Sequence, residues 1–329
     1  VRSLNTNHGE WDIRDGIILR LDDQAGGIGA GEIAPISWFG SETMEQALDF
    51  CRQLPTEITE ETIFAIPDEL PACQFGFESA LEKMGSGEWG DAGTRGGGDA
   101  VKEFDMSVHP SISVSSFSGL LSAGEVALEQ WESLWQQGYR TFKWKIGVYA
   151  IAIELKIFEL LTHSLPASAK LRLDANGGLS YDEANLWLWT CDNLKANPEI
   201  SLEIEFIEQP LPVDQLEGML ELSMFYGTAI ALDESVATLG QLVNCYEQGW
   251  RGIFVIKPGI IGSPSQLRQF WQQHQIDTVF SSVFETAIGR EAALKLATEL
   301  SLHNRAVGFG VNHFFAEEET WLQNLWNNL

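Results

Sequence analysis

Thr141-Phe142-Lys143-Trp144-Lys145-Ile146 is the stretch whose reading decides the fold. It alternates as a strand does, so Lys143 and Lys145 face one side and Trp144 the other. Taken alone, the pair could be two surface lysines on an edge strand. It is followed by four segments built on the same plan: Lys170-Leu171-Arg172-Leu173-Asp174-Ala175-Asn176, Glu205-Phe206-Ile207-Glu208-Gln209-Pro210, Leu232-Asp233-Glu234-Ser235 and Val255-Ile256-Lys257-Pro258. Each carries a charged residue at its strand end (Asp174, Glu208, Asp233 and Lys257), and each lies about one strand-helix unit beyond the last. Amphipathic spacing predicts helices over 123–137, 148–162, 181–193, 213–225, 238–247, 264–273 and 286–300. Further strands are expected at Ser111–Ser116, Thr278–Ser281 and Ala306–Gly308. Eight strands joined by about seven helices favour a closed parallel barrel over an open doubly wound sheet. No glycine fingerprint follows the first strand, which weakens a dinucleotide-binding reading. In a barrel the C-terminal strand ends meet at one mouth, so five charged residues on consecutive strands converge there.

Residues 1–106 read differently, as an α+β region. A strand at Gly16–Leu21 turns through Asp22, Asp23, Gly26 and Gly27 into a returning strand at Ile28–Ile33. Helices are expected over Ser41–Gln53, with Ser41 as N-cap, and over Leu70–Met84. Gly85–Asp99 is glycine-rich and reads as a mobile loop.

The chain has 329 residues, 44% of them hydrophobic, and a net charge of −27. That charge argues against nucleic acid or an anionic membrane as partner, since both need a basic face. A small anionic substrate remains compatible, because a few cations focused in one pocket override the global field locally. Cys51, Cys73, Cys191 and Cys245 form no zinc or redox spacing, and the six histidines form no metal motif. Free thiols in a reducing cytosol are expected. No apolar run reaches membrane-spanning length, and no signal peptide is apparent. The chain opens on Val1 rather than Met, and a first strand upstream of it is expected to have been trimmed.

Asp174, Glu208 and Asp233 offer three carboxylates without thiol or imidazole. Oxygen-only ligation favours a hard divalent ion, Mg2+ or Mn2+. Three buried carboxylates would repel one another strongly without a cation. Glu234 and Glu205 are the rival ligands. Parity counted back from Glu208 puts Phe206 on its side of the strand and Glu205 on the other. A lysine base needs its charged form disfavoured, and Lys143 and the ion would do that for Lys145. Proton abstraction beside a carboxylate is the reaction class that needs such a site.

With Lys143-Trp144-Lys145, Asp174, Glu208, Asp233 and Lys257 in this order, the chain resembles the enolase superfamily and its muconate-lactonizing subgroup. Within the subgroup it is most similar to the o-succinylbenzoate synthase family. The matching stretches are Arg172 to Asn176, Asp233-Glu234-Ser235, Val255 to Pro258, Gly262-Ser263, and Ser281-Ser282 with Glu285. Gly31 to Pro35 and Phe39 to Thr43 also resemble that family's cap. The resemblance implies a capping domain at 1–106, a modified (β/α)7β TIM-type barrel at 107–311, and a segment 312–329 returning to the cap. It implies a syn dehydration of 2-succinyl-6-hydroxy-2,4-cyclohexadiene-1-carboxylate (SHCHC) on the way to menaquinone or phylloquinone. Lys145 would be base and then acid, Lys257 a stabilising cation, and Lys143 would tune Lys145. Arg172, Asn176, Gly262, Ser281 and Gly308 would line the substrate pocket. The implied protein is cytoplasmic, a monomer or weak homo-oligomer, with a small carboxylate as its partner. N-succinylamino acid racemase and dipeptide epimerase are the sibling alternatives, and muconate cycloisomerase a weaker one. The epimerase pattern of Asp-x-Asp at the eighth strand is missing from Gly308-Phe309-Gly310. A non-catalytic barrel would have lost a lysine or a ligand, and none is lost.

Overall fold

The structure, a computed structural model, describes residues 4–6, 9–11, 13–86, 116–197 and 201–310. Most of the expected mobile loop at Gly85–Asp99, nearly all of the expected strand at Ser111–Ser116, the 106/107 boundary and the returning segment 312–329 lie outside these residues.

The cap begins with β1 (Leu4–Thr6) and β2 (Gly9–Trp11), an antiparallel pair. The expected hairpin follows as β3 (Ile17–Asp22) and β4 (Ile28–Ile33), paired from Ile17↔Ile33 to Asp22↔Ile28. Helices α1 (Met44–Gln53), α2 (Glu60–Phe64) and α3 (Pro71–Ser86) cover it. The short α2 was not anticipated. The N-cap of α1 is Thr43 rather than Ser41: Gln46 N donates to Thr43 Oγ1, and Thr43 N donates back to Gln46 Oε1. Ser41 Oγ instead accepts from Ile36 N, and Glu42 reaches away to cap α3 through Ala72 N and Cys73 N. That demand keeps residues 41–42 out of the helix.

The hairpin lies directly on α3, and glycine permits it. A Cβ on Gly31 would stand 2.0 Å from the Gly76 carbonyl oxygen, and one on Gly29 would stand 1.9 Å from that of Ala80. Gly31→Ala is therefore expected to destabilise the protein by about 3 kcal/mol or more, because backbone has to move on both sides. Urea denaturation would measure it, and a loss under ~0.5 kcal/mol would refute the contact.

The barrel strands are β5 (Ser118–Leu121), β6 (Thr141–Lys145), β7 (Lys170–Asp174), β8 (Glu203–Glu208), β9 (Ala229–Leu232), β10 (Ile253–Ile256) and β11 (Thr278–Phe280). All pair in parallel, in sequence order. The expected first strand at Ser111–Ser116 is corrected: Ser118–Leu121 is the segment that pairs with β6, through Ser118↔Thr141 to Leu121↔Trp144. The expected last strand is a two-residue seam. Val307 bridges Phe117 and Gly308 bridges Ser281, which closes the sheet on itself. Helices α4 (Ala127–Gln136), α5 (Ile151–Ser164), α6 (Tyr181–Lys195), α7 (Leu216–Phe225), α8 (Leu239–Glu247), α10 (Pro264–His274) and α11 (Ala287–Leu300) connect the strands. Before α10 comes an unanticipated single turn, α9 (Pro258–Ile261), directly after Lys257.

Strand parity sorts the core. Trp144 is buried outward, stacked on Phe158 and edge-on to Trp187. Inside the barrel, Phe206, Ala231, Ile253, Val255 and Val279 form a separate apolar layer. The cap has its own core around Ile33, Ala47, Ile63 and Phe77, and Ile260 of α9 and Val283 join it. Polar ties add to this contact. Glu32 of the cap, fully buried, accepts from Thr286 N, Thr286 Oγ1 and Gly289 N at the start of α11.

Candidate active site

Two residues above the apolar layer, three of the inward strand faces end in a charged group. Phe206 leads to Glu208, Ala231 to Asp233 and Val255 to Lys257, as a period of two requires. The register holds neighbouring groups at one height: Lys145 is opposite Asp174, and Asp174 is opposite Glu208. Strands β6 and β10 stand four places apart in the sheet order, so Lys145 and Lys257 approach from opposite walls.

The three lysines differ in their bonds. Lys143 Nζ lies 2.6 Å from Glu208 Oε1 and 2.9 Å from Asp174 Oδ2. Lys257 Nζ pairs with Asp233 Oδ1, and 4.0 Å away it faces the ring of Phe39 from the cap. Lys145 is half-buried in the same layer, with no ion-pair or hydrogen-bond partner among the described residues. Burial lowers the affinity of Lys143 for its proton. The Asp174, Glu208 and Asp233 carboxylates outweigh that and hold it above the ordinary lysine value. Two lysines are thus held in ion pairs, and the third has no such partner among the described residues.

Three of the acids, Glu208, Asp233 and Glu234, lean towards their neutral forms. Glu208 is pushed up to about 8, by burial first and by Asp174 and Asp233 as well, against the opposing pull of Lys143 and Lys257. Asp233 and Glu234 are raised too, again by burial first. Lys143 stands between Asp174 and Glu208, and no three carboxylates among the described residues are closed on one ion-sized point. The donor set still suits a hard ion. It is all oxygen, its charge is more than two paired lysines neutralise, and Glu234 Oε2 and Asn176 Oδ1 are buried with no hydrogen-bond partner.

Two residues that shape the site, Gln209 and Phe39, escaped the reading of spacing. Gln209, fully buried at φ 37°, ties strand ends together: its Oε1 accepts from Asp233 N and Ser235 N, and its Nε2 donates to Ser235 Oγ and Leu211 O. It fixes the backbone of Asp233 relative to Glu208. Asn176, at φ 46°, donates from Nδ2 to Glu234 Oε1, and its backbone N–H donates to Asp174 Oδ1. The Gln-Pro at a strand end was a usable signal for Gln209. Phe39 gave none, because it arrives from the cap on a short 3-10 turn, Ser37–Phe39.

The other pocket candidates are spread out. Arg172 lies one inward step below Asp174, with its Nε 2.6 Å from Glu205 Oε2 and its guanidinium 4.9 Å from the Phe206 ring centroid. The register shifts between Leu171 and Arg172, so Ile204 pairs with Leu171 and Phe206 with Arg172. Glu205 is the extra residue of this bulge, and it reaches Arg172 inside, which corrects the parity count that turned it outward. Ser281 and Gly308 meet across the seam, where a Cβ on Gly308 would stand 2.6 Å from Ser281 Oγ. Gly262 ends α9 at φ 117°, and a Cβ there would stand 2.9 Å from Gln74 Oε1 of the cap.

Comparison with known proteins agrees with this arrangement. Residues 126–323 match the enolase C-terminal domain-like family, and residues 6–84 match the MenC N-terminal domain. The o-succinylbenzoate synthase of Thermosynechococcus vestitus is 39% identical, over 94% of this chain and 89% of that protein. The o-succinylbenzoate synthase of Yersinia enterocolitica is 29% identical, over 89% of this chain and 81% of its own length. The crystal structure of the Thermosynechococcus elongatus o-succinylbenzoate synthase, complexed with Mg in the active site, superposes with a TM-score of 0.82 at 38% identity, covering 100% of this chain and 96% of that one. The Bacillus subtilis L-Ala-D/L-Glu epimerase shares the fold, with a TM-score of 0.72 at 22% identity over 96% of this chain and 88% of its own. The chain belongs to the enolase superfamily, and within it to the o-succinylbenzoate synthase family.

Proposed function

We propose that this chain dehydrates SHCHC to 2-succinylbenzoate, as a metal-dependent carbon-oxygen lyase of menaquinone or phylloquinone biosynthesis. The observation that carries the mechanism is Lys145, without a partner among the described residues, one inward step above the ion-paired Lys143 and across the barrel from the ion-paired Lys257. Lys145 takes the proton alpha to the ring carboxylate. It then returns that proton to the departing hydroxyl on the same face, which makes the elimination syn. Lys257, on the opposite wall, supplies fixed positive charge to the electron-rich intermediate, and Lys143 holds Asp174 and Glu208 in place. Asp174, Glu208 and Asp233 would hold a divalent ion, Mg2+ with Mn2+ as substitute. When bound, the ion supplies positive charge to the carboxylate oxygens as the proton leaves. Aromatisation of the ring drives the second half.

Asn176, Ser281 and Gly308 are the proposed pocket wall, Gly262 its edge beneath the cap, and Arg172 a cation beneath its floor. The proposed setting is the cytoplasm, consistent with the lack of a membrane-crossing helix among the described residues.

One observation keeps a second reading in play: lysines on opposite walls also suit two-base racemisation. The deciding experiment compares SHCHC turnover with alpha-proton exchange of an N-succinylamino acid on one preparation. Dehydration is expected to have the higher kcat/KM by at least about tenfold, a difference near 1.4 kcal/mol. Exchange without dehydration would reverse the assignment.

A further inference from the structure

The proposed chemistry asks Lys257 to hold one fixed position while charge develops beside it. Its own anchoring is lopsided. It follows the last residue of β10, and the single turn of α9 begins directly after it. Among the described residues its ammonium has one carboxylate partner, Asp233, and its second neighbour is the face of Phe39 at 4.0 Å from the ring centroid. At that distance over a ring face, the aromatic quadrupole attracts a cation, and burial strengthens the attraction by removing competing water. The Lys257 side chain is 11% exposed. Phe39 is itself set firmly. It packs on the cap core and lies edge-on to Trp38, 5.8 Å away. Its turn is closed by Phe39 N donating to Ile36 O, and Gly40 follows at φ 124°.

We infer that Phe39 is a positioning residue for the reaction, holding the Lys257 ammonium between its ring face and Asp233 so that the charge faces the substrate ring. The role rests on the dehydratase reading above. It links the cap to the chemistry through one electrostatic contact. An ammonium released from the ring would swing towards Asp233 alone and leave the place where the intermediate needs it. A ring of unchanged volume but weaker face potential would loosen Lys257 without opening a cavity.

The test separates electrostatics from packing. Phe39 is replaced by 4-fluoro-, 3,5-difluoro- and pentafluorophenylalanine, which keep the shape while progressively reversing the quadrupole, alongside Phe39→Tyr and Phe39→Leu. The expected result is a stepwise fall in kcat for SHCHC, reaching about tenfold at the pentafluoro ring, with KM within about twofold and Phe39→Tyr near wild type. A flat series overturns the proposal, since packing alone would then suffice. A rise in KM at constant kcat overturns it as well, by making Phe39 a wall for substrate. A second readout needs no turnover. In protein labelled with 13Cε-lysine, the Lys257 Hε resonances, assigned by their loss in Lys257→Arg, are expected upfield from the Phe39 ring current and at ordinary positions in Phe39→Leu. Resonances unmoved by Phe39→Leu overturn the contact. If wild-type protein fails to dehydrate SHCHC, the dehydratase reading fails by itself, and the resonances still decide whether Phe39 holds Lys257.

Discussion

Lys145→Ala is expected to lower kcat for SHCHC dehydration by about four orders of magnitude, the upper end of what general acid-base catalysis supplies. Lys145 would serve twice, taking the proton and delivering it to the leaving hydroxyl, so its loss strikes both halves of the reaction. The amine has no ion-pair or hydrogen-bond partner among the described residues, so its removal leaves no buried carboxylate unpaired. Thermal stability and divalent-ion affinity are expected to stay near wild type. This distinguishes it from Lys143, whose removal would strip the cation from both Asp174 and Glu208. Stopped assays under saturating substrate, with ion affinity measured calorimetrically, check both halves. A variant retaining a tenth of the wild-type rate would eliminate Lys145 as the base.

Stripping divalent ions with a chelator is the second large effect. Turnover is expected to fall to background and to return on adding Mg2+, with Mn2+ as a substitute. Stripped of its ion, the site would hold buried carboxylates pushed towards protonation, with Glu208 up to about 8. A divalent cation relieves that burden, so binding also stabilises the fold. At about one hundred times the dissociation constant the gain is ~2.7 kcal/mol. For a protein of this size that is a rise in Tm of several degrees, readable by calorimetry without any substrate. Persistent turnover in chelator, or a Tm indifferent to the ion, would refute Asp174, Glu208 and Asp233 as ligands.

The barrel was legible because its strands are short and end in unusual residues. Strand β7 ends on Asp174 and strand β10 stops directly before Lys257, as the charged strand ends require, and the hairpin pairs as its turn residues require. What failed to show was set by distant partners. Ser111–Ser116 has the composition of a strand, but pairing with β6 selects Ser118–Leu121. Ser41 is a good cap by type, yet Glu42 is drawn to α3 and shifts the helix start to Thr43. Glu205 turned inward because a bulge breaks the period of two, and no local residue announces it. In the site, charge and spacing located the lysines and acids on their strands. The buried Gln209 clamp and the Phe39 ring needed three-dimensional neighbours to become visible.

The seam at Val307 and Gly308 has a consequence for how the molecule breathes. Four backbone hydrogen bonds join it to its neighbours: Ser118 N to Val307 O, Val307 N to Ser116 O, Gly308 N to Phe280 O and Ser282 N to Gly308 O. Elsewhere each junction is zipped by a longer ladder, up to five paired residues between β6 and β7. Opening costs least where the ladder is shortest, so the cylinder unzips first at this slot. Ser281 and Gly308 flank the slot, opposite the β8 wall that carries Glu208. The molecule is thus stiff at the wall that carries Glu208 and compliant on the side that would meet the body of a substrate.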